Sequence, residues 1–174
     1  MARLSKRRIE RFFIEGDTAT TAAARGRSLE DLLIYLFSKI EGVRLVRRNA
    51  LTEDISGEID LIFWNDRTTL DFLPNVLLFE CKNWSSRVDS AAIAFFISKA
   101  TNRHLSHAFL IASNGITGDA DQLRSAHAHM HSALVRDDCK IIVLERAELC
   151  ALGSIEQLMI LIVDKISSLY LLGP

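Results

Sequence analysis

The sequence predicts an α/β fold in which helices sandwich a mixed sheet, and three observations carry the prediction. Segments of helical period alternate with short apolar runs in the order helix, three strands, helix, strand, helix, strand, helix. The run Val76-Leu-Leu-Phe79 is apolar on both faces, as suits a central strand covered on both sides. Two boxes, Ser28-Leu-Glu-Asp31 and Ser154-Ile-Glu-Gln157, carry the serine and the acid or amide three residues on that mark helix starts.

Taken in order, residues 1–15 suit a short basic helix, and residues 16–27, rich in Gly, Thr and Ala, suit a linker or arm. The chain therefore divides into a basic arm or short helix over 1–27 and one domain over 28–174. Ser28 opens the first long helix, where Leu29, Leu32, Leu33, Leu36, Phe37 and Ile40 follow a helical period and Gly42 ends it. Strands are expected over residues 43–48, 58–64 and 76–82. Asn65-Asp66 turns the second, and Pro74-Asn75 leads into the third. A helix over 90–102, a strand over 108–112, a helix over 119–134 and a strand over 140–144 follow. Ser154 then opens the last helix. No internal repeat is visible.

The bulk properties bound the function. A chain of 174 residues can bury a full core, and a quarter of it is charged, a soluble balance. No apolar run reaches the roughly 18 residues of a membrane span. Residues 158–172 are broken by Asp164, Lys165 and two serines, so no membrane association is expected. Phe12-Phe13-Ile14 is too short for a signal-peptide core, which predicts a cytoplasmic protein. Cys81, Cys139 and Cys150 have no metal spacing and read as reduced thiols. The net charge of −1 does not favour a nucleic-acid partner unless positive charge is clustered. It is partly clustered: Arg3, Lys6, Arg7, Arg8 and Arg11 form one group and Arg44, Arg47 and Arg48 a second, although a solvated basic tail accounts equally for the first.

The chemistry starts at Glu80-Cys81-Lys82. Alternation places Glu80 and Lys82 on one face of a buried strand and Cys81 on the other. An isolated Glu-x-Lys at a strand end is usually a plain salt bridge. Asp60 changes that reading. It alternates with Ile62 and Trp64 on the strand before, and a hairpin would make it a neighbour of Glu80. Two close carboxylates repel, and a divalent cation removes the cost. Magnesium suits such a pair, because it binds through one or two carboxylates and keeps its waters. Lys82 would add positive charge where a phosphoryl transition state gains negative charge. Glu30 shares a helix side with Leu33, Ile34 and Phe37, which makes it either a charge at a helix N-terminus or a functional acid turned inward.

Glu30 on the first long helix, then Gly57-Glu-Ile-Asp60, then Phe79-Glu-Cys-Lys-Asn-Trp84, together resemble the PD-(D/E)xK nuclease superfamily, nearest to the Mrr-like type IV restriction endonucleases. The resemblance runs from about residue 28 to 149. It takes in the loop Ser113-Asn-Gly-Ile-Thr-Gly-Asp-Ala120 and, as the final strand, Ile141-Ile-Val-Leu-Glu-Arg-Ala-Glu-Leu149. It implies the restriction-endonuclease-like sandwich, a mixed five-stranded sheet with an αβββαβ core. It also implies a metal-dependent endonuclease acting on DNA, in restriction, phage defence or repair, with RNA left open. In that family pattern Asp60 and Glu80 bind magnesium, for which manganese can substitute, and the Cys81 carbonyl is a further ligand. Lys82 is catalytic, and Glu30 acts on the metal through water. Two positions depart from the pattern: Ile59 stands where the name-giving motif has proline, and Glu80 replaces the glutamine common among Mrr-like enzymes.

Weaker signals have plainer readings. His127 and His131 share a helical face, His129 points away, and no third ligand is visible, so a structural role is expected rather than zinc. Trp84 suits base stacking or, more simply, packing. Gly115 and Gly118 suit a phosphate approach or a plain turn. The last helix carries Ile155, Leu158, Met159, Leu161, Ile162, Ile166, Leu169 and Tyr170, more apolar surface than one face needs, which predicts a homodimer. The competing function is a catalytically silent module of the same fold that binds nucleic acid or a protein. A junction resolvase would differ in substrate and require the dimer.

Overall fold

A computed structural model describes residues 2–51, 58–83, 86–116 and 120–171. Gly57, Trp84 and Gly118, all used above, lie outside the described residues. The elements are α1 (Lys6–Asp17), α2 (Ala22–Phe37), β1 (Val43–Leu51), β2 (Glu58–Asn65), β3 (Val76–Lys82), α3 (Ser90–Thr101), β4 (His107–Ala112), α4 (Ala120–Asp137), β5 (Lys140–Glu145), α5 (Arg146–Ala151) and α6 (Ile155–Leu171). The five strands lie in sequence order in one mixed sheet. β1, β2 and β3 pair antiparallel, and β3, β4 and β5 pair parallel through the α3 and α4 crossovers. This is the expected restriction-endonuclease-like sandwich.

Each face of the sheet carries its own core. On one, Phe63, Phe79, Phe109, Ile111, Ile142 and Leu144 meet α1, α2, α5 and α6. Phe37 of α2 sits at its centre, 4.7 Å edge-on to Phe79, which stacks on Phe109 at 4.5 Å. On the other face, Leu78, Ala108, Leu110, Ile141 and Val143 meet Ile93, Phe96 and Ala100 of α3 and Ala126, Met130 and Ala133 of α4. β3 is therefore covered on both sides, as its unbroken apolar run requires.

Two helix readings need correction. α2 begins at Ala22, not Ser28, and residues 22–27 are helix rather than linker. Thr21 is the cap, its Oγ1 accepting from the Ala24 amide at 3.1 Å. Alanine favours helix without marking a face, and Ala22, Ala23 and Ala24 are exposed, so no apolar period announced this turn. Ser28 lies inside the helix, where its hydroxyl donates to the Phe12 carbonyl and helps seat α1. α1 is no loose arm: Ile9 and Phe13 are buried in the core, and Arg8 stacks over Tyr35 at 4.4 Å. The second correction concerns residues 146–149. They form the start of α5, not a continuation of the last strand, because Glu145 and Glu148 make a reciprocal capping box.

Turns hold the strands in register. Gly42 has φ +85°, and a Cβ there would fall 1.9 Å from Asp66 Oδ1, so only glycine allows α2 to pass into β1 beside the end of β2. Asn65 is fully buried, and its Nδ2 donates to the carbonyls of Leu70 at 2.9 Å and Pro74 at 3.1 Å, which folds the β2–β3 connection. Ser154 caps α6 as expected, accepting from the Gln157 amide at 3.2 Å. Among the described residues no helix is long and apolar enough to cross a membrane.

Candidate active site

The β2–β3 ladder runs from Trp64 opposite Val76 to Leu61 opposite Phe79, and there it stops. Asp60 and Glu80 are the next residues, so both acids stand where the two strands part. The strand period thus delivers one carboxylate from each side of a fork. Asp60 Oδ2 accepts from the Cys81 amide at 2.6 Å across it. A residue's N–H and C=O leave a strand on the same edge, so the Cys81 carbonyl also leaves towards Asp60.

Charge is concentrated and enclosed here. Glu80 is 4 % exposed. Its Oε1 pairs with Lys82 Nζ at 2.8 Å and its Oε2 with Lys99 Nζ at 2.9 Å. Burial, then the negative charges of Glu80 and Glu30, push the Asp60 carboxyl up to about 6 against the opposing pull of the Cys81 amide and Lys82. Burial and the same three acids push the Cys81 thiol up, and its side chain packs against the core on the Phe79 face. Glu30 is also buried. Arg48 pairs with it, reaches Asp31 Oδ1 at 2.8 Å and donates to the Arg27 carbonyl at 3.0 Å.

The structure thus brings Glu30, Asp60, Glu80, Cys81 and Lys82 into one neighbourhood. Two members were not foreseen there. Lys99 stood in the sequence as one position along a helix, yet it is 6 % exposed and bonded to Glu80. A lysine on the buried stripe of Ile93, Phe96 and Ala100 was the available signal, because such a charge needs a partner. Arg48 looked like part of a basic surface group; its guanidinium is committed to Glu30 and Asp31, which leaves Arg44 and Arg47 as the exposed pair on β1.

Other candidates fall elsewhere. Asn83 is buried and its Nδ2 donates to the Arg25 carbonyl at 2.9 Å, a tie to α2. Gly115 forms a turn at φ +74°. His127 and His129 are exposed on α4. His127 and His131 line a cavity of about 420 Å³ with Met130, Arg87, Glu145 and Leu169, which Asp60 and Glu80 do not border. Among the described residues no three His, Cys, Asp or Glu side chains form a ready metal cage. The fork instead offers two carboxylates and a carbonyl, hard oxygen donors whose mutual repulsion a cation would relieve. That donor set fits magnesium, which keeps most of its waters.

A family model described as restriction endonuclease, that of the Mrr catalytic domain, matches residues 21–152. The chain belongs to the Mrr-type restriction endonuclease family. The matched stretch of the Mrr-type domain starts at the cap of α2 and ends just past α5, so it holds the whole sheet and every residue of the fork. No curated protein and no solved structure matches the chain.

Proposed function

We propose that this protein is a magnesium-dependent endonuclease that hydrolyses phosphodiester bonds in DNA, with the β2–β3 fork as its active site. The observation that carries the reading is the convergence of Asp60 and Glu80, one from each parting strand, with Lys82 at 2.8 Å from Glu80, in a chain of the Mrr-type family. Asp60, Glu80 and the Cys81 carbonyl would hold the metal. When bound, the ion supplies a Lewis acid for a phosphoryl oxygen and lowers the pKa of a water.

The chain's own groups do the rest. Lys82 brings a positive charge beside the acids, in a buried setting where it stabilises charge growing on the phosphate more than it would in water. Arg48 fixes the Glu30 carboxylate, which faces Asp60 from α2 and is placed to orient water around the site. Arg44 and Arg47 on β1, with Arg3, Lys6 and Arg7 at the N-terminus, are exposed cations able to meet backbone phosphates. Restriction, phage defence and repair are the processes that such an activity serves.

The test compares the parent with D60N, E80Q, K82A and E30Q, measuring DNA binding in calcium and cleavage in magnesium. Asp60→Asn and Glu80→Gln are expected to abolish cleavage while leaving binding intact or tighter, because carboxylates repel phosphates. Lys82→Ala should keep metal binding and lose roughly a hundredfold in rate. Glu30→Gln should be the mildest. Parental cleavage by D60N or E80Q would refute the site. A parent that binds DNA yet cuts no substrate in magnesium or manganese would make the fold a binding module.

A further inference from the structure

We propose that Lys99 is a positioning residue that clamps the β2–β3 fork and holds the Glu80 carboxylate in place. An ammonium has three donors. Lys99 Nζ lies 2.9 Å from Glu80 Oε2, 3.2 Å from Glu80 Oε1 and 2.8 Å from the Glu58 carbonyl. Glu80 belongs to β3 and Glu58 to β2, so one side chain from α3 ties the two strands just beyond the end of their ladder. The ring of Phe95, one turn earlier on α3, lies 5.1 Å from the same Nζ.

The position calls for such a tie. Backbone pairing between β2 and β3 ends at Leu61 and Phe79, while Asp60 and Glu80 repel each other just past that point. A fork loaded with like charge splays unless something spans it. Lys82 pairs with Glu80 from the same strand, and its charge also acts on Asp60. Lys99 comes from α3 and joins the Glu80 carboxylate on one strand to the backbone carbonyl of Glu58 on the other, and that fixed carbonyl anchors the ammonium that sets where the Glu80 oxygens point. The inference rests on the nuclease reading only for its consequence in catalysis. The clamp itself is a property of the metal-free protein.

The experiment is amide hydrogen exchange on metal-free parent and K99M, with DNA cleavage in magnesium measured alongside. Methionine keeps most of the stem's volume and removes the charge. The Cys81 amide, which donates across the fork to Asp60, is expected to exchange about tenfold faster or more in K99M, while the paired residues Phe109 of β4 and Ile142 of β5 keep their protection. Cleavage at saturating magnesium should fall about tenfold or more, with DNA affinity in calcium within roughly threefold of the parent. Unchanged Cys81 exchange in folded K99M would show that Lys99 clamps nothing. Faster exchange with parental cleavage would show that the clamp positions nothing. Faster exchange in a protein whose parent cuts no substrate would leave the clamp standing and remove the nuclease reading. If K99M does not fold, E80Q/K99M is compared with E80Q: the Lys99 bond to the Glu58 carbonyl survives in E80Q, so the clamp still predicts faster Cys81 exchange when K99M is added, and equal exchange overturns it.

Discussion

Asp60 is expected to cost the metal-free protein stability, and Asp60→Asn should return it. The folded carboxyl lies near 6 against an ordinary value of 3.8, because it is buried and faces Glu80 and Glu30. Its folded value is raised, so the stabilisation from its proton is complete below the unfolded value and disappears as pH rises through about 6. At about 1.4 kcal/mol per pH unit, the gap amounts to about 3 kcal/mol at pH 7.5, where the group is ionised in both states. Asparagine keeps an oxygen for the Cys81 amide and removes the charge, so D60N should be more stable by that amount. The gain should shrink to about 1.5 kcal/mol at pH 5 and about 0.5 kcal/mol at pH 4. For a chain of this length the gain at pH 7.5 is a rise in Tm of roughly 6–12 °C. The assay is urea and thermal unfolding of parent and variant in EDTA across that pH range. His107, which burial and then Lys140 push down to about 4, titrates over the same interval but is common to both proteins and cancels in the difference. Magnesium should raise the parent's Tm and leave D60N nearly unmoved. Equal stability of the two at pH 7.5, both folded and cooperative, would refute the picture of a charged Asp60 held against Glu80.

Arg48→Met should destabilise by roughly 2 kcal/mol, because it leaves the buried Glu30 without its counter-charge, and E30Q/R48M should recover most of the loss; denaturant midpoints decide it. His127→Gln with His131→Gln should leave cleavage within about threefold of the parent, since the cavity they line is not bordered by Asp60, Glu80 or Lys82, and a hundredfold loss in a folded variant would contradict this. A homodimer is expected through α6, where Ile160, Val163, Tyr170 and Leu171 are exposed although Ile155, Leu158 and Ile162 are buried; light scattering that shows a monomer at micromolar concentration removes it.

The strands were legible because their punctuation is chemical. Asn65-Asp66 and Pro74-Asn75 bracket the β2–β3 connection in the sequence, and the Asn65 amide folds that connection in space. The acids of the fork were legible for a related reason. Strand alternation sets which way Glu80 and Lys82 point, and a hairpin sets Asp60 beside them. What stayed hidden depends on partners far away in the chain. Lys99 finds Glu80 from 19 residues on, and Arg48 finds Glu30 from 18. An alanine-rich exposed turn has no apolar rhythm, so nothing marked the start of α2, and α5 follows at Arg146 directly from the last residue of β5, with no turn residue between them to mark it.

β1 carries its own consequence. It is an edge strand, its register slips by one residue between Leu45 and Arg47, and Asn49 turns to φ +51°. An open edge invites another chain to add on, and a protein of net charge −1 has little overall repulsion to keep copies apart. The bulge twists the edge away from a flat template, and Arg44 and Arg47 put solvated charge along it. These arginines therefore have a duty in solubility that is separate from any phosphate they contact. Replacing both by neutral residues to probe DNA binding would also expose a sticky edge, so lost binding in that variant would have to be separated from lost monodispersity.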